Sequence, residues 1–103
     1  MVKQINPRNA NGTYTRELLI PAQGGVVPTI HRIAACSNVQ IGFAFFDAAE
    51  GGNALADGAV FWGHPQGGPL TFEADIGHLV EGSEGGAVYV ENRTLGYLTI
   101  HVE

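Results

Sequence analysis

The sequence predicts an all-β protein, an antiparallel β-sandwich or jelly roll of about seven to eight strands. Apolar and polar residues alternate with a period of two in several segments, which is the pattern of half-buried strands. Glycine pairs separate these segments, and the 103-residue chain contains 15 glycines and 5 prolines. Only 15% of the residues are charged, against about 25% in an average soluble domain. This composition excludes a helical bundle or a coiled coil.

The alternation places seven strands along the chain. The first covers 13–20 and ends at Pro21, and the second covers 26–36, with Pro28 near its start. The third, 39–46, has one bulky face and one small face, so we expect both of its faces to be covered. Strands over 59–62 and 70–75 follow, and a short helical turn is expected near 54–58. The last two strands are expected to pair as a C-terminal hairpin from about 86 to 103, with its turn at 92–96.

Residues 1–12 contain no periodic element, so we expect an irregular N-terminal arm in front of a single β-sandwich domain over 13–103. The arm carries two isolated hydrophobic residues, Val2 and Ile5, followed by Pro7. We expect the two hydrophobic residues to anchor the arm to its own domain or to a neighbouring chain, and together with Pro7 they are the interface candidates. The arm lacks the apolar stretch of a signal peptide, and no segment reaches the ~18 apolar residues of a membrane span.

The charge and the cysteine content exclude two further classes. Ten acidic residues oppose five basic ones, for a net charge of −5, and Lys3 is the only lysine, so no basic patch for nucleic acid is expected. Cys36 is the only cysteine, and an intrachain disulfide is therefore impossible. It ends an apolar run, and we expect it to be a small buried hydrophobic residue instead of a reactive thiol.

No pattern of catalytic or metal-ligating residues is present. The histidines form no local pair of the kind that catalytic zinc uses; they are His31, His64, His78 and His101. The loop 47–58 carries several acidic residues, but alanines interrupt them, so we interpret it as a connecting loop and not as a calcium site. Neither serine lies in a nucleophile motif. We therefore expect no enzyme, no metal and no other cofactor.

The most distinctive stretch surrounds Trp62. One interpretation, which we favour, is that Trp62 is the core tryptophan of a sandwich and that the following loop only turns the chain. The alternative is a carbohydrate-binding, lectin-like module, in which Trp62 stacks on a sugar ring while His64 and Gln66 bind its hydroxyl groups.

The chain as a whole resembles the small β-sandwich auxiliary proteins of tailed bacteriophage capsids, the decoration or cement proteins. The resemblance extends from the arm at 1–12 through the glycine-punctuated strands to the closing segment GAVYVENRTLGYLTIHV at 86–102. It implies a non-enzymatic homo-oligomer, with a trimer favoured, that clamps the subunits of a capsid lattice. It also implies an arm that reaches neighbouring chains, and a place on the virion surface. Without a signal peptide, the location expected otherwise is the cytoplasm.

Overall fold

The computed structural model describes residues 1–64 and 68–103. This part of the chain forms ten β-strands and one 3-10 turn, Ala56–Gly58. The strands are β1 (Val2–Ile5), β2 (Thr15–Ile20), β3 (Thr29–Ile30), β4 (Arg32–Cys36), β5 (Ile41–Phe46), β6 (Phe61–Gly63), β7 (Leu70–Glu73), β8 (Val80–Glu81), β9 (Val88–Asn92) and β10 (Leu98–Val102). The all-β class predicted from the sequence is confirmed.

Two four-stranded antiparallel sheets form a sandwich. Sheet A has the order β1-β10-β4-β7, sheet B has the order β2-β9-β5-β6, and β3 and β8 form a separate ribbon. The inward side chains of both sheets make one buried cluster. Phe43 of sheet B and Phe72 of sheet A meet in it edge to face, with ring centroids 5.9 Å apart. Burial of this shared apolar surface is what holds the two sheets together.

The strand pairs are nested along the chain. The first strand pairs with the last, β2 with β9, β3 with β8, β4 with β7, and β5 with β6. The chain is therefore one long antiparallel hairpin, wound so that β10 also pairs with β4, and β9 with β5. The connections 6–14, 37–40 and 93–97 cross between the sheets at one end of the sandwich. We call this the first end, and the opposite end, which holds both termini, the second end.

The predicted C-terminal hairpin is wrong. Both of its strands exist, but β9 lies in sheet B and β10 in sheet A, so residues 93–97 form an arch between sheets. Asn92, fully buried, shapes this arch: its side-chain NH₂ donates to the Gly96 and Asn6 carbonyls, each at 3.0 Å. Its side-chain oxygen accepts the Thr94 backbone N–H and hydroxyl. The segment that we interpreted as a hairpin turn is a corner built around one buried amide.

The strand predicted over 26–36 is divided at His31. The first part, β3, pairs with β8, whereas the second part, β4, joins sheet A. Together with β1 and β8, which the sequence did not predict, this division accounts for ten strands where seven to eight were expected.

The expected irregular arm is partly regular. Val2–Ile5 form β1, which pairs with β10 at the edge of sheet A. Four residues are too few for a visible period, and β1 is a strand because β10 offers it a partner. The side chain of Ile5 is fully buried in the core, so the chain anchors this segment to itself.

Two other expectations have opposite outcomes. The two-sided burial expected over 39–46 is confirmed for β5, which is buried except for its last residue, whereas Val39 and Gln40 precede the strand and are exposed. In contrast, the prediction that Cys36 is buried is wrong. Ile33 and Ala35 of β4 point into the core, so strand alternation turns Cys36 outward, where its thiol is exposed.

Candidate functional site

Trp62 lies on the outer face of sheet B and not in the core. In β6 the preceding residue, Phe61, faces inward and stacks on Phe43 with a centroid distance of 5.3 Å, so Trp62 faces outward. It pairs across the sheet with Gly42, and its ring covers that glycine so closely that a Cβ there would meet ring carbons at 2.6 Å. The side chain is 55% exposed. The interpretation of Trp62 as a core tryptophan is therefore wrong.

Trp62 forms one wall of a concavity at the first end of the sandwich. The concavity has a volume of about 330 Å³, at the lower end of the range of small-molecule sites. Its other walls come from the connections that cross between the sheets. The described lining residues are Arg8, Tyr14, Val39, Gln40, Trp62, Arg93, Thr94 and Leu95.

A chain of charged and aromatic side chains on sheet B supports this concavity. Glu91 is only 5% exposed; its carboxylate accepts a hydrogen bond from Arg16 Nε at 2.8 Å and another from Arg93 Nε at 2.9 Å. Arg16 is packed over the Phe46 ring at 3.6 Å, and the Arg93 guanidinium lies 5.0 Å from the Tyr14 ring centroid. Because each of these side chains contacts another one, Arg93 and Tyr14 are held in place without a ligand.

The segment that carries Arg8 and Tyr14 is attached to the arch at 93–97. The Arg8 backbone N–H donates to the Thr94 carbonyl at 3.0 Å. Thr15 Oγ1 donates to the Pro7 carbonyl at 2.8 Å, and Asn11 Oδ1 accepts the Thr13 backbone N–H at 3.1 Å. Arg8, a residue of the expected arm, thus lines the concavity.

The three residues predicted to bind sugar are not all brought together. Trp62 lines the concavity, while His64 is exposed beyond β6 and is not among the described lining residues. Gln66 lies outside the described residues. The sequence analysis did not identify Arg8, Tyr14, Gln40 or Arg93 as site residues. They come from three separate connections, and only the crossing of those connections at the first end makes them neighbours.

The interface candidates of the N-terminal segment have different environments. Val2 is exposed on the edge strand β1, and Pro7 is half-buried beneath the first-end connections. Ile5, by contrast, is enclosed by its own core, which is the first of the two anchoring alternatives, an anchor to its own domain.

One histidine, His31, and the acidic loop have structural partners. His31 Nδ1 shares a hydrogen bond with the Gly77 carbonyl at 2.9 Å, and the Asp47 carboxylate accepts the Asn53 backbone N–H at 2.7 Å, which closes the loop on itself. Within residues 1–64 and 68–103, no group of three or more His, Cys, Asp or Glu side chains is arranged to hold a metal ion.

Over the same residues, no helix has the length and apolar character needed to cross a membrane.

Comparisons with known proteins assign no family to this chain. No protein-family model matches it, and searches of curated proteins and of solved structures find no significant match. The resemblance to capsid decoration proteins thus stays a prediction from the sequence.

Proposed function

We propose that this chain is a non-enzymatic structural protein with jelly-roll topology, which decorates or cements a virion capsid as a homo-oligomer. The nested strand pairs support the topology: a hairpin wound into two four-stranded sheets is how an eight-stranded jelly roll is built, with the β3–β8 ribbon as an extra pair. Jelly rolls occur in capsid and lectin domains alike. The choice between these functions therefore depends on the surface of the molecule.

The observation that carries the proposal is that large apolar side chains are exposed at both ends of the sandwich. At the first end Leu95 is 72% exposed, and at the second end Ile76 is 94% exposed. Other large apolar side chains are exposed at each end of the sandwich: Tyr14, Val39, Trp62 and Tyr97 at the first end, and Met1, Val2, Val26 and Val27 at the second. A protein that clamps two neighbours needs two contact surfaces, whereas a simple ligand-binding module needs one.

The mechanism is multivalent contact. Each end buries a modest apolar area on a neighbouring subunit, and contact at one end raises the effective concentration of the other end at its own partner. Low charge suits this role, because few ionised groups must be desolvated when the surfaces meet. Because β1 pairs with β10 of its own sheet, the proposal differs in one respect from the expectation from the sequence. The contacts come from the two ends of the sandwich and not from a free arm.

The test is the mass of the purified protein by light scattering over a range of concentrations. We expect a homo-oligomer of about three times the 10.9 kDa chain mass. The substitutions Leu95→Ser and Ile76→Ser, one at each end, are expected to lower the mass while leaving the far-UV circular dichroism spectrum of the folded protein unchanged. Thr71→Ser, at an exposed position within β7 on the outer face of sheet A, is the control. A strict monomer at all concentrations would overturn the proposal.

A second candidate function, carbohydrate binding, is favoured by a separate observation. An exposed tryptophan ring that is fixed over a glycine is a rigid, flat platform beside polar side chains, which suits the C–H face and the hydroxyl groups of a sugar. The test is Trp62→Ala: glycan binding is lost and the fold is retained if this function is right. If Trp62→Ala leaves glycan binding unchanged, the candidate fails.

A further inference from the structure

We propose that the concavity beside Trp62 binds an acidic saccharide, a sugar that carries a carboxylate. This inference rests on the second candidate function and names its ligand class. The observation that carries it is the presence of arginine side chains in the site, because the binding of a neutral sugar does not require positive charge.

The charge of the concavity is opposite to that of the molecule. The chain has a net charge of −5 and only five Lys and Arg residues, yet two of these, Arg8 and Arg93, line this one concavity. Among the described lining residues none is acidic. Glu91 lies behind the site, where its single negative charge is shared between Arg16 and Arg93. One positive charge of that set therefore remains uncompensated, in addition to the charge of Arg8.

The geometry fits an anion attached to a ring. The Arg93 guanidinium is held by Glu91 through Nε, and guanidinium groups bind carboxylates through paired N–H donors. Trp62 lines the same concavity with a flat apolar surface, and the Gln40 amide, also in the lining, is available for hydroxyl groups. A uronic acid unit has these features together: an apolar ring face, hydroxyl groups and one carboxylate. An acidic peptide would satisfy the arginines, but it would leave the flat Trp62 surface without a matching ring.

The experiment compares trigalacturonic acid with its methyl ester, which has the same rings without the charges. Trp62 is the only tryptophan, so intrinsic fluorescence reports binding at this site directly, with calorimetry in parallel. At low salt we expect the acid to bind about tenfold more tightly than the ester, as expected for a charge-assisted hydrogen bond. The preference should fall as salt is added.

Two arginine variants distinguish binding at this site from a general effect of the charge of the protein. Arg8→Gln should remove most of the preference for the acid, because the backbone bond from residue 8 to Thr94 does not depend on the side chain. Arg32→Gln, at the second end in an exposed pair with Glu103, is the matched control and should bind as the unmodified chain does.

The outcomes distinguish the inference from the function on which it rests. Equal binding of acid and ester would overturn the acidic preference and leave carbohydrate binding intact. Tighter binding of hexaglutamate than of either sugar would overturn the inference in favour of an acidic peptide. If neither method detects binding of either sugar, the inference fails; the carbohydrate function fails as well only if a panel of neutral glycans is not bound either. The wild-type titration alone decides among these results, so none of them depends on a variant that must fold.

Discussion

The outer faces of the two sheets differ, although both sheets have four antiparallel strands and the same inner core. On sheet B, Arg16 lies directly across from Glu91, and aromatic rings pack on both arginines that Glu91 bonds, Phe46 on Arg16 and Tyr14 on Arg93. On sheet A, the corresponding row is small and polar: Gln4 pairs with Thr99, and Thr99 with Cys36.

This difference shows that exposure in a sandwich is not set by strand alternation alone. Alternation turns both Glu91 and Cys36 outward, but Glu91 is covered by its neighbours and Cys36 is not. Long side chains on adjacent strands can form a partly buried outer layer, whereas short ones leave the sheet open to solvent. A site that needs fixed side chains therefore belongs on sheet B.

The largest expected effect is that of Glu91→Ala. Removing this carboxylate leaves the Arg16 and Arg93 guanidinium groups, both largely covered, without their shared partner. We expect a loss of about 2–4 kcal/mol in the free energy of unfolding, measured by urea denaturation. The matched control is Glu73→Ala on sheet A, whose exposed side chain lies 4.0 Å from His31 and is expected to change stability by less than about 1 kcal/mol. Equal losses for the two variants would contradict the difference between the faces.

The next effect is that of Gly42→Ala. The new methyl group would lie within 2.6 Å of the Trp62 ring, so the ring must move away from sheet B. We expect a loss of about 1–3 kcal/mol in stability, together with a shift in the fluorescence maximum of the single tryptophan. Gly24→Ala, where no atom lies within 4 Å of the added carbon, is the control. An unchanged spectrum for Gly42→Ala would show that the ring does not rest on the glycine.

A smaller effect is expected for Trp62→Ala. Because the ring is 55% exposed and covers the sheet on one side only, we expect its removal to lower stability by about 1 kcal/mol. Urea unfolding followed by circular dichroism measures this loss without the tryptophan signal. A loss above about 3 kcal/mol would be the behaviour of a core aromatic residue and would contradict a surface platform.

The sequence was sufficient to predict the elements that alternation controls. The two-sided burial of β5 follows from bulky residues such as Phe43 alternating with small ones such as Gly42, and the structure has that arrangement. Alternation could not predict whether Phe61 or Trp62 faces the core, because both are aromatic and β6 has only three residues. Which of the two rings faces the core depends on the neighbouring strand, where Gly42 leaves space on one face only.

Which strands pair with each other could not be predicted from the sequence, and the reason is physical. Alternation in β9 and β10 would be the same if they were neighbours in one sheet or faced each other across the core. The deciding contacts involve Asn92, whose side chain bonds to Asn6, and these residues are far apart along the chain. The candidate site has the same origin, since Arg8, Tyr14 and Arg93 meet only after the connections have crossed.

The smallest expected effect is that of Cys36→Ser on sheet A. Because the thiol is exposed at the end of β4, we expect a change of less than about 0.5 kcal/mol in stability. A buried cysteine would lose more, since a hydroxyl group would be placed among apolar neighbours.

A thiol-specific reagent tests the same exposure without a substitution. The folded protein is expected to react with one equivalent of reagent at the rate of a free thiol, and urea should not be needed. If the Cys36 thiol does not react with the reagent even at low protein concentration, this result contradicts its exposure on the outer face of sheet A. Protection that appears only as the protein concentration rises would instead place a contact between copies on that face, in addition to the contacts at the two ends of the sandwich.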